Sequence, residues 1–163
     1  MRRRLYFDTS VFGGVFDEEF SVYSIQLFER VKRGELVCLF SDVVDDELRR
    51  APKRVRDLAE NIHIEHFEYL NRSDETQLLA ATYINAKVVG LKSYEDCLHI
   101  AFSTIHRADF LISWNFKHIV NDDRIKRFNE VNLSLGYQQI SICSPKQFAS
   151  YEKQKDEKDI RHS

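Results

Sequence analysis

A chain of 163 residues with 43% hydrophobic and 12% aromatic content holds enough apolar material for one compact domain with a sizeable core, which argues against a disordered or fibrous protein. Its net charge of −2 lacks the basic excess on which nonspecific phosphate binding rests, and three scattered cysteines, Cys38, Cys97 and Cys143, give neither a disulfide framework nor a CxxC zinc site. No stretch nears the roughly 20 apolar residues of a membrane span. Met1 to Arg4 runs into too few apolar residues before Asp8 for a signal peptide, so a cytoplasmic protein is expected.

Leu5-Tyr6-Phe7, followed at once by Asp8-Thr9-Ser10, reads as a buried strand that stops on small polar residues, and Gly13-Gly14 then breaks the chain. From Phe16 to Lys32 apolar residues recur at helical spacing, marking an amphipathic helix ended near Gly34. Leu36 to Phe40 is the next strand. Ser41 or Asp42 caps a helix with core residues Val44, Leu48 and Ala51, interrupted by Pro52. At about 100° per residue, Glu47 falls at the edge of that helix's buried face, whereas Asp45 and Asp46 point away. A carboxylate turned toward a core needs a partner, and a cation is one of the few that suffices.

Pro52 to Ile62 reads as a further helix, and His63 to Tyr69 as extended or irregular. In an extended segment His63 and His66 point to opposite faces, so they are read as surface residues rather than as ligands of one ion. Ser73 to Val88 is a broad apolar helix closed by Gly90. Ser93 starts the next, with Glu95 and Asp96 in its first turn, where a capping box and the helix dipole already give an acid a structural reason to be. Leu98, Ala101, Phe102 and Ile105 pack inward, and His99, Ser103 and Arg107 continue the polar face from Asp96. Phe110 to Ser113 is a strand. Asn121 caps a helix bearing Ile125, Phe128, Val131 and Leu135, and Ile140 to Cys143 is a final strand. Residues 1–148 are read as one domain and 149–163 as a charged tail without fixed structure.

Strands alternating with helices predict an α/β fold: a central, mostly parallel sheet flanked by helices on both faces. Ligands of such sheets gather beyond the carboxyl ends of the strands. Asp8 and Asn115 sit at two such ends, and Glu47 and Asp96 lie early in helices, so the four can converge. Asp109 opens the strand that Asn115 closes, roughly 20 Å away, and belongs to the opposite edge. Carboxylates without cysteine or a histidine pair suit a hard cation such as Mg2+ or Mn2+. Without one they would repel, and one or more would take up protons.

At this point the chain resembles the PIN-domain ribonucleases, which include toxins of bacterial toxin–antitoxin pairs. The resemblance rests on Phe7-Asp8-Thr9-Ser10, Ser41 to Leu48 (SDVVDDEL), Glu95 to Ala101 (EDCLHIA) and Ala108 to Asn115 (ADFLISWN), together spanning residues 5 to about 120. It implies a hydrolase that cuts RNA phosphodiester bonds with one or two divalent ions. Asp8, Glu47 and Asp96 would hold the metal, and Ser10 and Ser113 would orient an acid or a water. His99, one turn after Asp96, would support it by hydrogen bonding. Many members have a fourth aspartate where Asn115 stands; asparagine still offers a carbonyl oxygen, so one ion would be held more weakly. RNA substrate, an antitoxin protein and a homodimer are the implied partners.

Arg49, Arg50, Lys53 and Arg54, in the run RRAPKRVR, form a cluster able to track a phosphate backbone, or equally a solvated helix face. Trp114 either stacks on a base or packs beside its strand. Two other functions compete with the nuclease. A catalytically silent module of the same fold, binding RNA or protein, is favoured by Asn115 and the low charge. A phosphotransferase or phosphatase using Asp8 as nucleophile expects an acid where Ser10 stands.

Overall fold

The computed structural model describes residues 2–61 and 66–163. Its centre is the run Leu5-Tyr6-Phe7, wholly buried, as a strand covered on both faces requires. This strand, β1 (Arg3–Phe7), pairs with β2 (Leu36–Ser41) on one side and β4 (Phe110–Ile112) on the other. β3 (Phe67–Leu70) and β5 (Ile142–Cys143) complete a five-stranded sheet of order β3-β2-β1-β4-β5, every pair parallel. The connections hold α1 (Thr9–Gly14), α2 (Ser21–Lys32), α3 (Asp42–Arg49), α4 (Lys53–Glu60), α5 (Asp74–Asn85), α6 (Tyr94–Ile105) and α7 (Asp122–Ser134), and α8 (Pro145–His162) follows β5.

Successive strand residues point to opposite faces, and β1 meets a helix on each. Tyr6 stacks on Phe102 of α6 with ring centroids 6.2 Å apart, while Phe7 meets Phe28 of α2 edge-on at 5.4 Å. The chain steps outward from β1 to β2 and β3, then crosses back to β4 on the other side of β1. The order therefore reverses between β1 and β4, and the crevice beyond their carboxyl ends is where this architecture takes ligands. Asp8 follows β1 there and Ser113 follows β4. The Asp8 N–H donates to the Ile112 carbonyl at 3.2 Å, tying the two exits together.

Several expectations are corrected. Gly13-Gly14 does not break the chain but ends α1, where a Cβ on Gly14 would lie 2.6 Å from both Trp114 Nε1 and Ser24 Oγ. The helix expected from Phe16 begins only at Ser21, because Asp17 turns the preceding segment by accepting from the Glu19 N–H at 2.9 Å. Ser93 makes no capping bond to α6. That helix has no polar outer face over its middle turns, since Cys97 to Thr104 are all buried, including His99 and Ser103. The sheet lies on one side of it and α5 on another, as for a helix apolar all round. The stretch 149–163 continues α8 as helix to His162, started by a Ser144–Gln147 capping box and anchored by buried Phe148. His63 lies outside the described residues. His66 bonds Arg2 at 3.2 Å, beside the amino-terminal edge of the sheet.

An acidic candidate site at the carboxyl edge of the sheet

Asp8 is 4% exposed and caps α1, accepting from the Ser10 N–H at 3.1 Å. The Ser10 hydroxyl donates to one carboxylate oxygen at 2.5 Å and the Ser113 hydroxyl to the other at 2.5 Å. Both serines are themselves held: Ser10 Oγ accepts from the Trp114 N–H at 2.8 Å, and Ser113 Oγ from the Asn115 N–H at 2.9 Å. Two hydroxyls thus fix the orientation of this one acid.

Glu47 lies at the edge of the buried face of α3, as helical geometry predicts, but its partner is an imidazole. His99 Nε2 stands 2.6 Å from Glu47 Oε1, and His99 is only 2% exposed. The other ring nitrogen is 2.6 Å from the Tyr6 hydroxyl, which is 2.7 Å from Ser41 Oγ, and Ser41 accepts from the Val44 N–H at the start of α3. The network accepts either state of the ring: neutral with its proton at Nε2, Nδ1 accepts from Tyr6 and Tyr6 from Ser41; charged, Nδ1 donates to Tyr6 and Tyr6 to Ser41. His99 was expected to bond Asp96 and instead positions Glu47. The signals for it were a tyrosine inside the buried run Leu5-Tyr6-Phe7, whose hydroxyl needs a partner, and a histidine in an apolar helix.

Asp96 is half-buried in the first turn of α6, and among the described residues its one hydrogen bond comes from the Asn115 side-chain amide at 3.4 Å. It caps nothing. Asn115 turns its carbonyl oxygen the other way, to accept from the His118 N–H at 3.0 Å, so the oxygen expected to face the acids does not. Asp8, Ser113, Asn115 and Asp96 form one linked row along the crevice, with Glu47 and His99 close enough for their charges to act on both aspartates.

Burial pushes the Asp8 carboxyl above the ordinary range, offset in part by the charge of His99 and the serine hydrogen bonds. Burial raises Asp96 likewise. Burial would also raise Glu47, but the hydrogen bond and charge of His99 outweigh it and hold the group low. Burial alone would lower His99; the bond and charge of Glu47, with the charges of Asp8 and Asp96, leave it raised. Thr9 Oγ1 is buried without a well-formed hydrogen bond among the described residues, yet lies near enough to Glu47 to favour its ionised form.

Among the described residues no group of three or more His, Cys, Asp and Glu side chains is arranged so that it could hold a metal ion. The expected set Asp8, Glu47 and Asp96 is brought to one crevice but not to one point, because Glu47 is drawn onto His99 and both oxygens of Asp8 are taken by serines. The chemistry of the set nevertheless fits a hard cation. It is rich in carboxylates and free of thiolates, and burial holds Asp8 and Asp96 above their ordinary range, a shift that a bound cation would reverse.

The basic cluster lies beside this crevice and is largely paired. Arg49 reaches Asp45 at 3.3 Å, Arg50 reaches Glu95 at 3.3 Å, Lys53 reaches Asp57 at 2.8 Å, and Arg54 lies 5.2 Å over the ring of Phe16. Trp114 is 7% exposed and packed, so it offers no face to a base. Asp109 accepts from the Arg4 N–H at 2.7 Å at the far edge of the sheet, as its position in the strand requires.

Five parallel strands in this order, flanked by helices, with acids at the switch point, define a PIN-like α/β fold. Solved structures similar to it include VapBC2 from Rickettsia felis bound to a DNA fragment from their promoter, with a TM-score of 0.56 and 13% identity over 86% of this chain and 98% of that one. Another is VapC20 of Mycobacterium tuberculosis, a sarcin–ricin loop cleaving toxin, with a TM-score of 0.55 and 13% identity over 84% of this chain and 98% of that one. At this identity the likeness is one of fold. No family model matches the sequence, and no curated protein matches it. Among the described residues no helix is long and apolar enough to cross a membrane.

Proposed function

We propose that this protein is an endoribonuclease that hydrolyses RNA phosphodiester bonds with the help of Mg2+ or Mn2+. The observation that carries the reading is a pair of buried or half-buried carboxylates, Asp8 and Asp96, at the switch point of a VapC-like fold and without an arginine or lysine ion pair among the described residues. Retaining such groups costs stability, which is the usual mark of a functional site.

Asp8, Glu47 and Asp96 would hold the ion, which when bound activates water and offsets phosphate charge. The remaining chemistry is the chain's own. Ser10 and Ser113 fix the plane of the Asp8 carboxylate. His99, backed by Tyr6 and Ser41, fixes Glu47, and Asn115 leaves part of Asp96 open toward the crevice. Arg50, with Arg49, Lys53 and Arg54, offers positive charge beside the acids if phosphate displaces their exposed partners, which hold them only weakly. The same reading carries a cytoplasmic toxin restrained by an antitoxin protein that covers the crevice.

A second reading, a catalytically silent RNA- or protein-binding module, is favoured by Asn115 and by the engagement of Glu47 with His99. One experiment separates the two: purified protein is incubated with single-stranded RNA and Mg2+ or Mn2+, beside Asp8→Asn and Asp96→Asn. The nuclease reading expects cleavage that EDTA stops and that both variants lose. Cleavage that survives EDTA, or persists equally in both variants, contradicts it. RNA binding without any turnover transfers the conclusion to the silent module.

A further inference from the structure

The residue after Asn115 is Phe116, and 47% of it is exposed although the loop around it is closely held. The Asn115 carbonyl accepts from the N–H groups of Ile119 at 3.1 Å and Val120 at 2.8 Å, and its side chain holds the His118 N–H. Backbone and side-chain hydrogen bonds therefore hold the loop's shape. Beneath that ring lies a rigid base. Trp114 stacks on Phe20 at 4.1 Å with 15° between planes, and its indole N–H donates to Ser24 Oγ at 2.8 Å. Phe116 stands on this pair, 6.2 Å from Trp114 and 6.4 Å from Phe20.

Beside it Lys117 is exposed, and neither Lys117 nor Arg124 makes an ion pair among the described residues. Among the described residues the Arg124 guanidinium hydrogen-bonds the ring of His118, at 3.1 Å, and its N–H is capped by Asn121. Asp122 and Asp123 also lie nearby, in the first turn of α7, where the helix dipole accounts for them. A flat apolar face on a fixed loop, with cations beside it and an acidic crevice one residue away, suits an unstacked base followed by its phosphate.

We infer that Phe116 is a stacking platform for one nucleobase of single-stranded RNA entering the acidic crevice, with Lys117 and Arg124 along the backbone. This rests on the nuclease reading and narrows its substrate class. Bases within a duplex are already stacked and cannot lie on the ring, so single strands and loops are bound in preference to duplex.

The test measures binding of a short fluorescein-labelled single-stranded oligoribonucleotide to the full chain in EDTA, and cleavage of the same RNA with Mn2+. Phe116→Ala and Phe116→Leu are each expected to bind about tenfold more weakly, the loss of one base–aromatic stack, and Phe116→Trp to bind within about twofold of wild type. Thermal melting of each variant is expected to match wild type, since the ring is half-exposed. Wild-type affinity in both Phe116→Ala and Phe116→Leu, with cleavage intact, overturns the platform while leaving the nuclease standing, and points instead to a protein contact at this loop. Loss in Phe116→Ala but not Phe116→Leu shows apolar contact without stacking and also overturns it. A wild type that neither binds nor cleaves RNA removes this inference and the reading beneath it together.

Discussion

At the amino-terminal edge of the sheet, Arg4 reaches Glu68 at 2.7 Å and Asp109 accepts from the Arg4 N–H. Arg3 reaches Glu152 at 3.4 Å while lying over the ring of Tyr151, and Arg30 pairs with the same glutamate. At the carboxyl edge Arg72 pairs with Asp42 at 3.2 Å and Asp46 at 2.7 Å in the same way, but the acids of the crevice are answered differently: Asp8 by two hydroxyls and an N–H, Asp96 by an amide, and Glu47 by a histidine. The same residue types are paired with arginine at one end of the strands, whereas inside the crevice at the other no arginine or lysine pairs with Asp8, Glu47 or Asp96 among the described residues. The first arrangement supports the fold. The second costs stability and makes sense when something positive, or something carrying phosphate with it, completes the site.

Substitutions across the two edges can break this contrast. Asp96→Asn is expected to lower RNA cleavage by at least about a hundredfold, in line with loss of a group that organises charge at the reacting centre. Its metal-free form should melt no earlier than wild type, because a carboxylate held above its ordinary pKa has been removed. His99→Ala should do both kinds of damage: cleavage down by about ten- to a hundredfold as Glu47 loses its positioning, and stability down by about 2–4 kcal/mol in urea melts as Tyr6 and Glu47 lose a buried partner. Equal cleavage in His99→Ala and wild type would remove the positioning role.

The same pair gives a pH signature in EDTA. Glu47 is lowered, so its contribution is present above the ordinary carboxylate value of 4.5 and is lost as pH falls through the lowered pKa. His99 is raised, so its contribution is present below the ordinary 6.5 and is lost as pH rises through the raised pKa. Wild type should therefore exceed His99→Ala in stability most clearly between about pH 4.5 and 6.5, with the gap shrinking on either side. Arg4→Ala should have the smallest effect, below about 1 kcal/mol in stability with unchanged cleavage, since its ion pair is partly exposed. A large loss of cleavage in Arg4→Ala would erase the distinction between the edges.

The sequence made the site's skeleton legible, because strand ends and helical angles depend on local patterning. Leu5 to Phe7 marked the central strand, Asp8 its exit, and the angular position of Glu47 on α3 its half-buried setting. What stayed hidden depended on packing between distant segments. Periodicity divides α6 into two faces, but the sheet and α5 leave its middle turns no wet face, which puts His99 in the core and within reach of Glu47, separated from it by 52 residues. The direction of the Asn115 amide is set by the turn at His118, and no motif encodes it. Charge-rich composition concealed α8, whose start is fixed by a capping box and one buried phenylalanine. Whether Trp114 stacks or packs depends on Gly14 and Ser24, distant in the chain, which enclose it.

Calorimetric titration of Mn2+ into the full chain tests whether the carboxyl-edge acids form the proposed divalent-cation site. Wild type is expected to bind saturably, and Asp8→Asn and Asp96→Asn each to bind at least about tenfold more weakly. Absence of binding by wild type, or equal binding by all three proteins, would contradict the account.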